Sequence, residues 1–192
     1  MANCEYIVTK GFEFDCDNII QPGLEQDAWI FNREDVTASY NATNKMLITD
    51  FTLPTGKTGY RVQQLGDAYT GTTTSMNEGT FVNTFNRTVA FIVPKNDPVT
   101  AAKILDKLAN GEFVMVVQNK FHSEGEQNRF EIYGLEKGLK AASIDEDKYS
   151  EETNSGWQVT LTETGNAFPA QFLYKTNEAT TLSRLNTLCP VA

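Results

Sequence analysis

The residues that could carry out chemistry in this chain are few and widely spaced. His122 is the only histidine among 192 residues, and no cysteine lies near it in the sequence. Nucleophilic catalysis of the Ser-His or Cys-His type needs such a base beside its nucleophile. Cys4, Cys16 and Cys189 form no CxxC pair, whereas zinc sites use several Cys or His residues at tight spacing. The sequence therefore predicts neither a nucleophilic catalytic site nor a zinc site.

Carboxylates are plentiful, but they do not form a recognisable site. The run Asp15-Cys16-Asp17-Asn18 has the start of a calcium-binding loop without its glycine at the sixth position or its glutamate at the twelfth, so a turn is favoured. The acidic runs 145–147 and 151–152 have the composition of a solvated surface. No glycine-rich phosphate-binding loop is present. We therefore expect no enzyme, cofactor or metal, and a carboxylate pair for glycoside hydrolysis stays open as the least favoured alternative.

Composition restricts the partners of the protein. The net charge is −9 at pH 7, which argues against tight binding of nucleic acid because that affinity comes largely from Lys and Arg neutralising phosphates. The same charge would allow DNA to pass without sticking. No apolar stretch approaches the roughly 20 residues that span a bilayer, and the N-terminus lacks the pattern of a signal peptide. We expect a protein that is made in the cytosol and has no membrane contact.

The elements that must position any functional surface are mostly strands. The run 113–117 is continuously apolar, as expected for a strand covered on both faces, and alternation from Trp157 to Leu161 predicts a half-buried antiparallel strand. Trp29 lies in another buried strand, at 28–31. A last strand near 170–174 leads to a Thr-rich tail.

One helix is strongly predicted. Asp97 can cap its N-terminus, Pro98 suits its first position, and Asn110-Gly111 ends it. Four apolar residues share one predicted buried face, namely Ala101, Ile104, Leu105 and Leu108. Many short strands with one helix indicate a mainly β domain covering 1–192, a β-sandwich or partly closed barrel with one flanking α-helix.

The segment 51–93, here called the arm, is unusually long and polar for a connection. Its sides, 59–69 and 80–93, have strand-like composition and predict an oversized β-hairpin with its tip at 70–75. A ten-residue strand pair would project about 30 Å. Because exposed strand edges invite pairing with other chains, an ordered arm favours self-assembly. A mobile surface loop is the alternative.

The order of these elements resembles the tail tube proteins of long-tailed bacteriophages and contractile injection systems. The arm at 58–93, the helix at 97–110 and the strand at 113–117 occupy matching places. Two phrases are also similar to structural proteins of phages and prophages of Bacteroides-type hosts. These are Cys16-Asp17-Asn18 leading through Pro22-Gly23-Leu24 to Trp29-Ile30-Phe31-Asn32-Arg33-Glu34-Asp35-Val36, and Tyr133-Gly134-Leu135-Glu136-Lys137-Gly138-Leu139.

The resemblance implies a tail-tube-like sandwich and a geometric function. Subunits would form rings, hexameric in such tubes, whose strands join across subunits and which stack through hairpin arms and termini. Double-stranded DNA would pass through without specific binding, and the protein would sit in the virion tail beside other tail or head-tail connector proteins. Our candidate inter-subunit contacts are Tyr60, Val62, Leu65, Tyr69, Phe81 and Phe85, with burial against their own domain as the alternative for each.

Two other functions remain open at this point. The first is a single ring, collar or tail-terminator subunit of a short tail. The second is a monomeric β-sandwich module that binds carbohydrate or a receptor and uses exposed aromatics such as Tyr60 and Tyr69. Self-assembly would distinguish the structural readings from the binding module.

Overall fold

The computed structural model describes residues 8, 10–11, 22–64, 71–121 and 125–190. Several residues considered above lie outside these ranges, namely Cys4, Cys16, Asp15, Asp17, Asn18, Leu65, Tyr69 and His122. Strands account for 44% and helices for 17% of the described residues, so the mainly β class is confirmed. None of the described helices is long and apolar enough to cross a bilayer.

The described strands form two sheets. Their bounds are β1 Leu24–Asn32, β2 Thr37–Tyr40, β3 Leu47–Thr52, β4 Tyr60–Gln63, β5 Gly71–Asn77, β6 Thr84–Val93, β7 Phe113–Asn119, β8 Phe130–Tyr133, β9 Lys140–Glu146, β10 Trp157–Asn166 and β11 Phe172–Leu173. The large sheet has the order β2-β3-β11-β8-β7-β1-β4, and the small sheet has the order β5-β6-β10-β9. The sheets form no closed barrel.

The large sheet is the middle layer of the molecule. On one face Phe113, Met115 and Val117 of β7 pack towards the small sheet. On the other face Val114 and Val116 pack with residues of the C-terminal segment. Trp29 of β1 is fully buried on that second face. The predictions of a doubly covered strand at 113–117 and of a core role for Trp29 are confirmed.

The predicted helix exists, but its buried face differs. Helix α1 comprises Pro98–Thr100, a π-helical segment Ala101–Leu105, and Asp106–Asn110. The Asp97 carboxylate accepts hydrogen bonds from the amides of Val99 and Thr100 at 2.9 and 3.0 Å. Thr100, Leu105 and Leu108 are buried, whereas Ala101 and Ile104 are exposed. Because a π-helix has a wider turn, Leu105 lies above Thr100, five positions before it, on the buried side. The predicted buried face was therefore wrong at Ala101 and Ile104.

A second helix, α2 (Glu178–Leu188), replaces the predicted Thr-rich tail. The Asn177 side chain caps it by accepting from the Thr180 amide at 2.8 Å. Leu185 and Leu188 are buried against the large sheet. Arg184 donates to Asp50 at 2.9 Å and to the Phe51 carbonyl at 2.7 Å, which fixes the helix to β3. The expectation of one flanking helix is therefore wrong, because tertiary contacts outweigh the weak helix propensity of threonine.

The arm does not fold as the predicted hairpin. The side predicted at 59–69 provides β4, which pairs with β1 in the large sheet. Residues 71–75 of the predicted tip are part of β5, which pairs with β6 in the small sheet. Strand β6 lies between β5 and β10 along its length, so a 30 Å projection is wrong. The turn of the real hairpin is 78–83.

Gln64 fixes the point where the chain passes from the large to the small sheet. Its side-chain amide donates to the Ile92 carbonyl at 2.9 Å and accepts from the Ile92 amide at 3.0 Å. Its own backbone amide donates to the Gln26 carbonyl at 2.9 Å. Pairing of β5 with β6 stops at Ala90. The buried Gln64 side chain therefore takes the place of one further strand residue beside β6.

Candidate assembly surface

Strand β5 is an edge strand without the usual protection. It reads Gly-Thr-Thr-Thr-Ser-Met-Asn, with no charge and no proline. Its register with β6 runs without a shift from Gly71 opposite Ala90 to Asn77 opposite Thr84. No strand of the described ranges pairs with its other edge, and the residues from Thr73 onwards are exposed. Natural proteins normally add charges, proline or bulges to such an edge, so β5 is suited to pairing with another chain.

The opposite edge of the small sheet is protected. Strand β9 carries Lys140, Asp145 and Glu146, and the Asp106–Asn110 part of α1 packs beside it. A register shift interrupts its pairing with β10 between Thr160 and Leu161. Charges, a covering helix and an irregularity are recognised ways of preventing edge pairing.

The β5–β6 turn presents an apolar tip. Phe81 is 96% exposed, and Met76 and Val82 are also exposed. The Asn83 side chain accepts from the Gly79 amide at 3.2 Å. A Cβ on Gly79 would lie 2.3 Å from the Val82 carbonyl oxygen, so this tight turn requires glycine. A tight turn that keeps an aromatic ring in solvent has the character of an interaction surface.

The candidate contact residues fall in two separate places. Phe81 lies in the exposed turn, and Phe85 is half-buried at the start of β6, opposite Met76. Tyr60 is 63% exposed on β4, whereas Val62 is half-buried against the core between the sheets. Leu65 and Tyr69 lie outside the described residues.

Tyr60 lies beside a cleft at the other end of β6. The cleft has a volume of about 1450 Å³ and is lined by β4, the end of β6 and α1. Tyr60, Val93, Val99 and Ile104 supply apolar surface there. Ten residues of strand separate Val93 from the turn at the other end, about 30 Å. The structure therefore does not bring the six candidate residues into one patch.

Sequence reasoning missed β5 itself, together with Met76 and Val82. The Thr-rich run at 72–74 carries β-branched residues and little to bury, which is the signal of an exposed strand. Because that run was assigned to the tip of a hairpin, strand β5 was not predicted.

The titratable groups inside the sandwich connect the two sheets. Arg87 of β6 is fully buried and donates to Glu131 of β8 at 2.8 Å. Its guanidinium lies 4.2 Å from the centre of the Tyr133 ring. Burial raises the pKa of Glu131 even though Arg87 acts to lower it. Glu163, opposite Arg87 on β10, is fully buried and accepts from the amides of Gly134 and Lys137. These contacts fasten one sheet to the other.

Cys189, the cysteine among the described residues, is buried as well. Burial raises the pKa of the Cys189 thiol to about 12, so the thiolate needed for a nucleophile does not form near neutral pH. Among the described residues, no group of His, Cys, Asp and Glu side chains is arranged to hold a metal ion. The chemistry that these surfaces support is pairing and packing.

Comparison with known protein families, with curated proteins and with solved structures gave no match for this chain.

Proposed function

We propose that this chain is a virion structural protein that assembles with copies of itself into the rings of a phage tail tube through which DNA passes. The observation that carries the proposal is the unprotected edge of β5. Seven uncharged, mostly exposed residues offer main-chain donors and acceptors to another chain. Strand addition of this kind supplies affinity through the backbone without requiring particular side chains.

The positions of the apolar surfaces support a repeating assembly. The tip around Phe81 and the cleft beside Tyr60 lie at opposite ends of β6. A contact between two different surfaces of identical subunits is head-to-tail and closes into a ring when the rotation allows. The tip is thus available for contacts between successive rings, while the β5 edge is available within a ring.

The charge of the protein supports passage of DNA. A net charge of −9 gives little phosphate affinity, which suits a surface past which double-stranded DNA slides. The proposed place is the virion tail, beside other tail or head-tail connector proteins. A single ring or collar of a short tail would use the same surfaces.

A monomeric binding module is the second candidate function, since Tyr60 is 63% exposed beside a large cleft. An exposed aromatic ring at a cleft is a typical stacking surface for a ligand. This candidate predicts a monomer with an unpaired β5 at every concentration.

The test is negative-stain electron microscopy and sedimentation over a concentration series. We expect rings or tubes from the natural chain and none from the double variant Thr73→Lys with Ser75→Lys, because lysines on an edge strand oppose pairing. The matched control, Ser183→Lys with Thr187→Lys, adds the same charge on the exposed face of α2 and should assemble normally. Monomers from the natural chain at all concentrations, or rings from the β5 variant, would contradict the proposal.

A further inference from the structure

The outward face of α1 is both apolar and basic. Val99 is 60% and Ile104 is 43% exposed, and both line the cleft with Lys103 and Lys107. Lys103 forms no ion pair with any described residue, whereas Lys107 forms an exposed ion pair with Asp106 at 2.8 Å. The described residues of the cleft include six Lys or Arg and four Asp or Glu, in a chain whose net charge is −9. This face is therefore locally positive on an acidic protein.

The π-helical segment is the reason for this exposure. It places Thr100 and Leu105 on the buried side and turns Ile104 outwards. Interruptions of this kind occur frequently at functional sites in helices. A regular α-helix would have buried Ile104 with Leu105 and Leu108, as its spacing predicts.

The connection 147–155 between β9 and β10, here called the acidic loop, has complementary properties. Residues 145–152 contain five Asp or Glu and one Lys. Tyr149 is 96% exposed between these charges. An exposed aromatic ring among carboxylates suits a basic apolar surface, because tyrosine is a frequent anchor of interfaces and opposite charges select the partner.

The acidic loop is held in one shape by its own hydrogen bonds. The Ser155 hydroxyl donates to the Lys148 carbonyl at 2.9 Å, and the Tyr149 amide donates to Asp147 at 2.9 Å. Asn154 and Ser155 both have positive φ, 48° and 59°, a conformation that costs energy in residues other than glycine. An exposed tyrosine on a fastened loop binds with less loss of conformational entropy than one on a floppy segment.

The loop and the α1 face are neighbours at one end of the molecule. Glu146, directly before the loop, accepts from the Asn96 side chain, and Trp157, just after it, pairs with Val93. Val93, Pro94 and Lys95 line the cleft. A surface that carries a basic cleft beside an acidic protrusion is complementary to a second copy of itself. Such a surface forms a two-fold contact, in which each copy gives its loop and receives the other's.

We propose that a second copy of this chain docks here, with the acidic loop of each copy lying on the α1 face of the other. Tyr149 packs beside Val99 and Ile104, and Lys103 and Lys107 face the carboxylates of Glu151 and Glu152. The contact is independent of the β5 edge and does not rest on the proposed function.

The test is a charge exchange, measured by sedimentation velocity. All samples carry the Thr73→Lys and Ser75→Lys substitutions, so that pairing through β5 does not contribute. One variant adds Lys103→Glu with Lys107→Glu, and the other adds Glu151→Lys with Glu152→Lys. All four exposed side chains lie away from the core, and circular dichroism checks that each variant is folded.

We expect the parent to dimerise and each charge variant alone to dimerise at least roughly tenfold more weakly. An equimolar mixture of the two variants should dimerise like the parent, because both contacts then join opposite charges. Tyr149→Ala should weaken the parent dimer at least about fivefold. A monomeric parent, dimers unaffected by either reversal, or a mixture that fails to recover would overturn the proposal. Each of these outcomes leaves ring formation by the natural chain to be decided separately through β5.

Discussion

The two edges of the small sheet differ in their protection against pairing with another chain. At β9 the sheet ends under helix α1, with charges and a register shift that oppose further pairing. At β5 it ends in seven uncharged residues with one unpaired edge among the described strands. Three protective devices at β9 and none on the described edge of β5 are the pattern expected if the chain pairs with another copy through β5.

The interactions in the interior also differ between the two sides of the small sheet. Behind β9, Leu105 and Leu108 of α1 pack into an apolar core. Behind β5, the sheets are joined through Arg87, Glu131 and Tyr133. The protected edge is held by apolar packing and the pairing edge is supported by a buried ion pair, so the two can be tested separately.

The largest expected effect comes from the ion pair behind β5. Replacing the buried Arg87 with methionine leaves the half-buried carboxylate of Glu131 without its cationic partner, and should lower the free energy of unfolding by about 3–5 kcal/mol. Urea denaturation at pH 7 measures this value. The matched control is Arg61→Met, which removes an exposed pair with Asp27 and should cost no more than about 1 kcal/mol. Equal effects would mean that the buried pair does not secure the sheets.

The pH dependence of the stability of Arg87→Met gives a second check on the ion pair with Glu131. Burial raises the pKa of Glu131 in the fold above its ordinary value of 4.5, and loss of Arg87 should raise it further. A carboxyl whose pKa is higher when folded binds more protons in the folded state, so it loses stability as the pH rises from 4.5 through the folded pKa. The deficit of Arg87→Met relative to the natural chain should therefore shrink as the pH is lowered towards 4.5. A deficit that does not change with pH would exclude Glu131 as its cause.

On the protected side, Leu105→Ala should lower the free energy of unfolding by about 2–5 kcal/mol, because it removes a buried side chain and leaves a cavity. Helix α1 would also cover β9 less firmly, so amide hydrogen exchange should accelerate in Lys140–Glu146 more than in β10. Ile104→Ala is the neighbouring control, since that side chain is 43% exposed. If exchange in β9 stays unchanged while stability falls, the helix does not protect that edge.

The crossover that leads to β5 should show an intermediate effect. Gln64→Leu leaves the buried amide and carbonyl of Ile92 without their partner, and should cost about 1–3 kcal/mol. Gln63→Leu changes the exposed neighbour and should stay within about 0.5 kcal/mol. Thermal denaturation of the two variants compares them. Similar midpoints would show that the Gln64 contact contributes nothing to stability.

The sequence predicted features governed by local chemistry or simple burial. Asp97 and Pro98 predicted the start of α1 because capping depends on adjacent residues. The apolar run 113–117 predicted a doubly covered strand because burial on both faces removes alternation. These features need no knowledge of distant contacts.

Features decided by tertiary contacts could not be predicted in this way. Helix α2 contains three threonines and forms because Leu185 and Leu188 reach the large sheet and Arg184 reaches Asp50. Strand β4 of the arm joins the large sheet through distant partners in β1, Asp27 for Gln63 among them, whereas β5 pairs with the nearby β6 in the small sheet. Tyr60 and Phe81 are both exposed, but their separation along β6 depends on that division.

The smallest expected effect on stability comes from adding charges to β5, and this change tests the difference between the two edges most directly. Thr73→Lys with Ser75→Lys changes only exposed side chains, so the free energy of unfolding should move by no more than about 0.5 kcal/mol per substitution. Ring formation should nevertheless be lost, because the paired edge would then carry like charges from both chains. Adding the same net charge to β9 at exposed positions, by Ala142→Lys with Asp145→Asn, should leave assembly intact, since that edge already carries charges and packs beside helix α1. If only the variant with added charge on β9 failed to assemble, β9 and not β5 would be the edge that pairs with the neighbouring subunit, because added charge prevents assembly only at the paired edge.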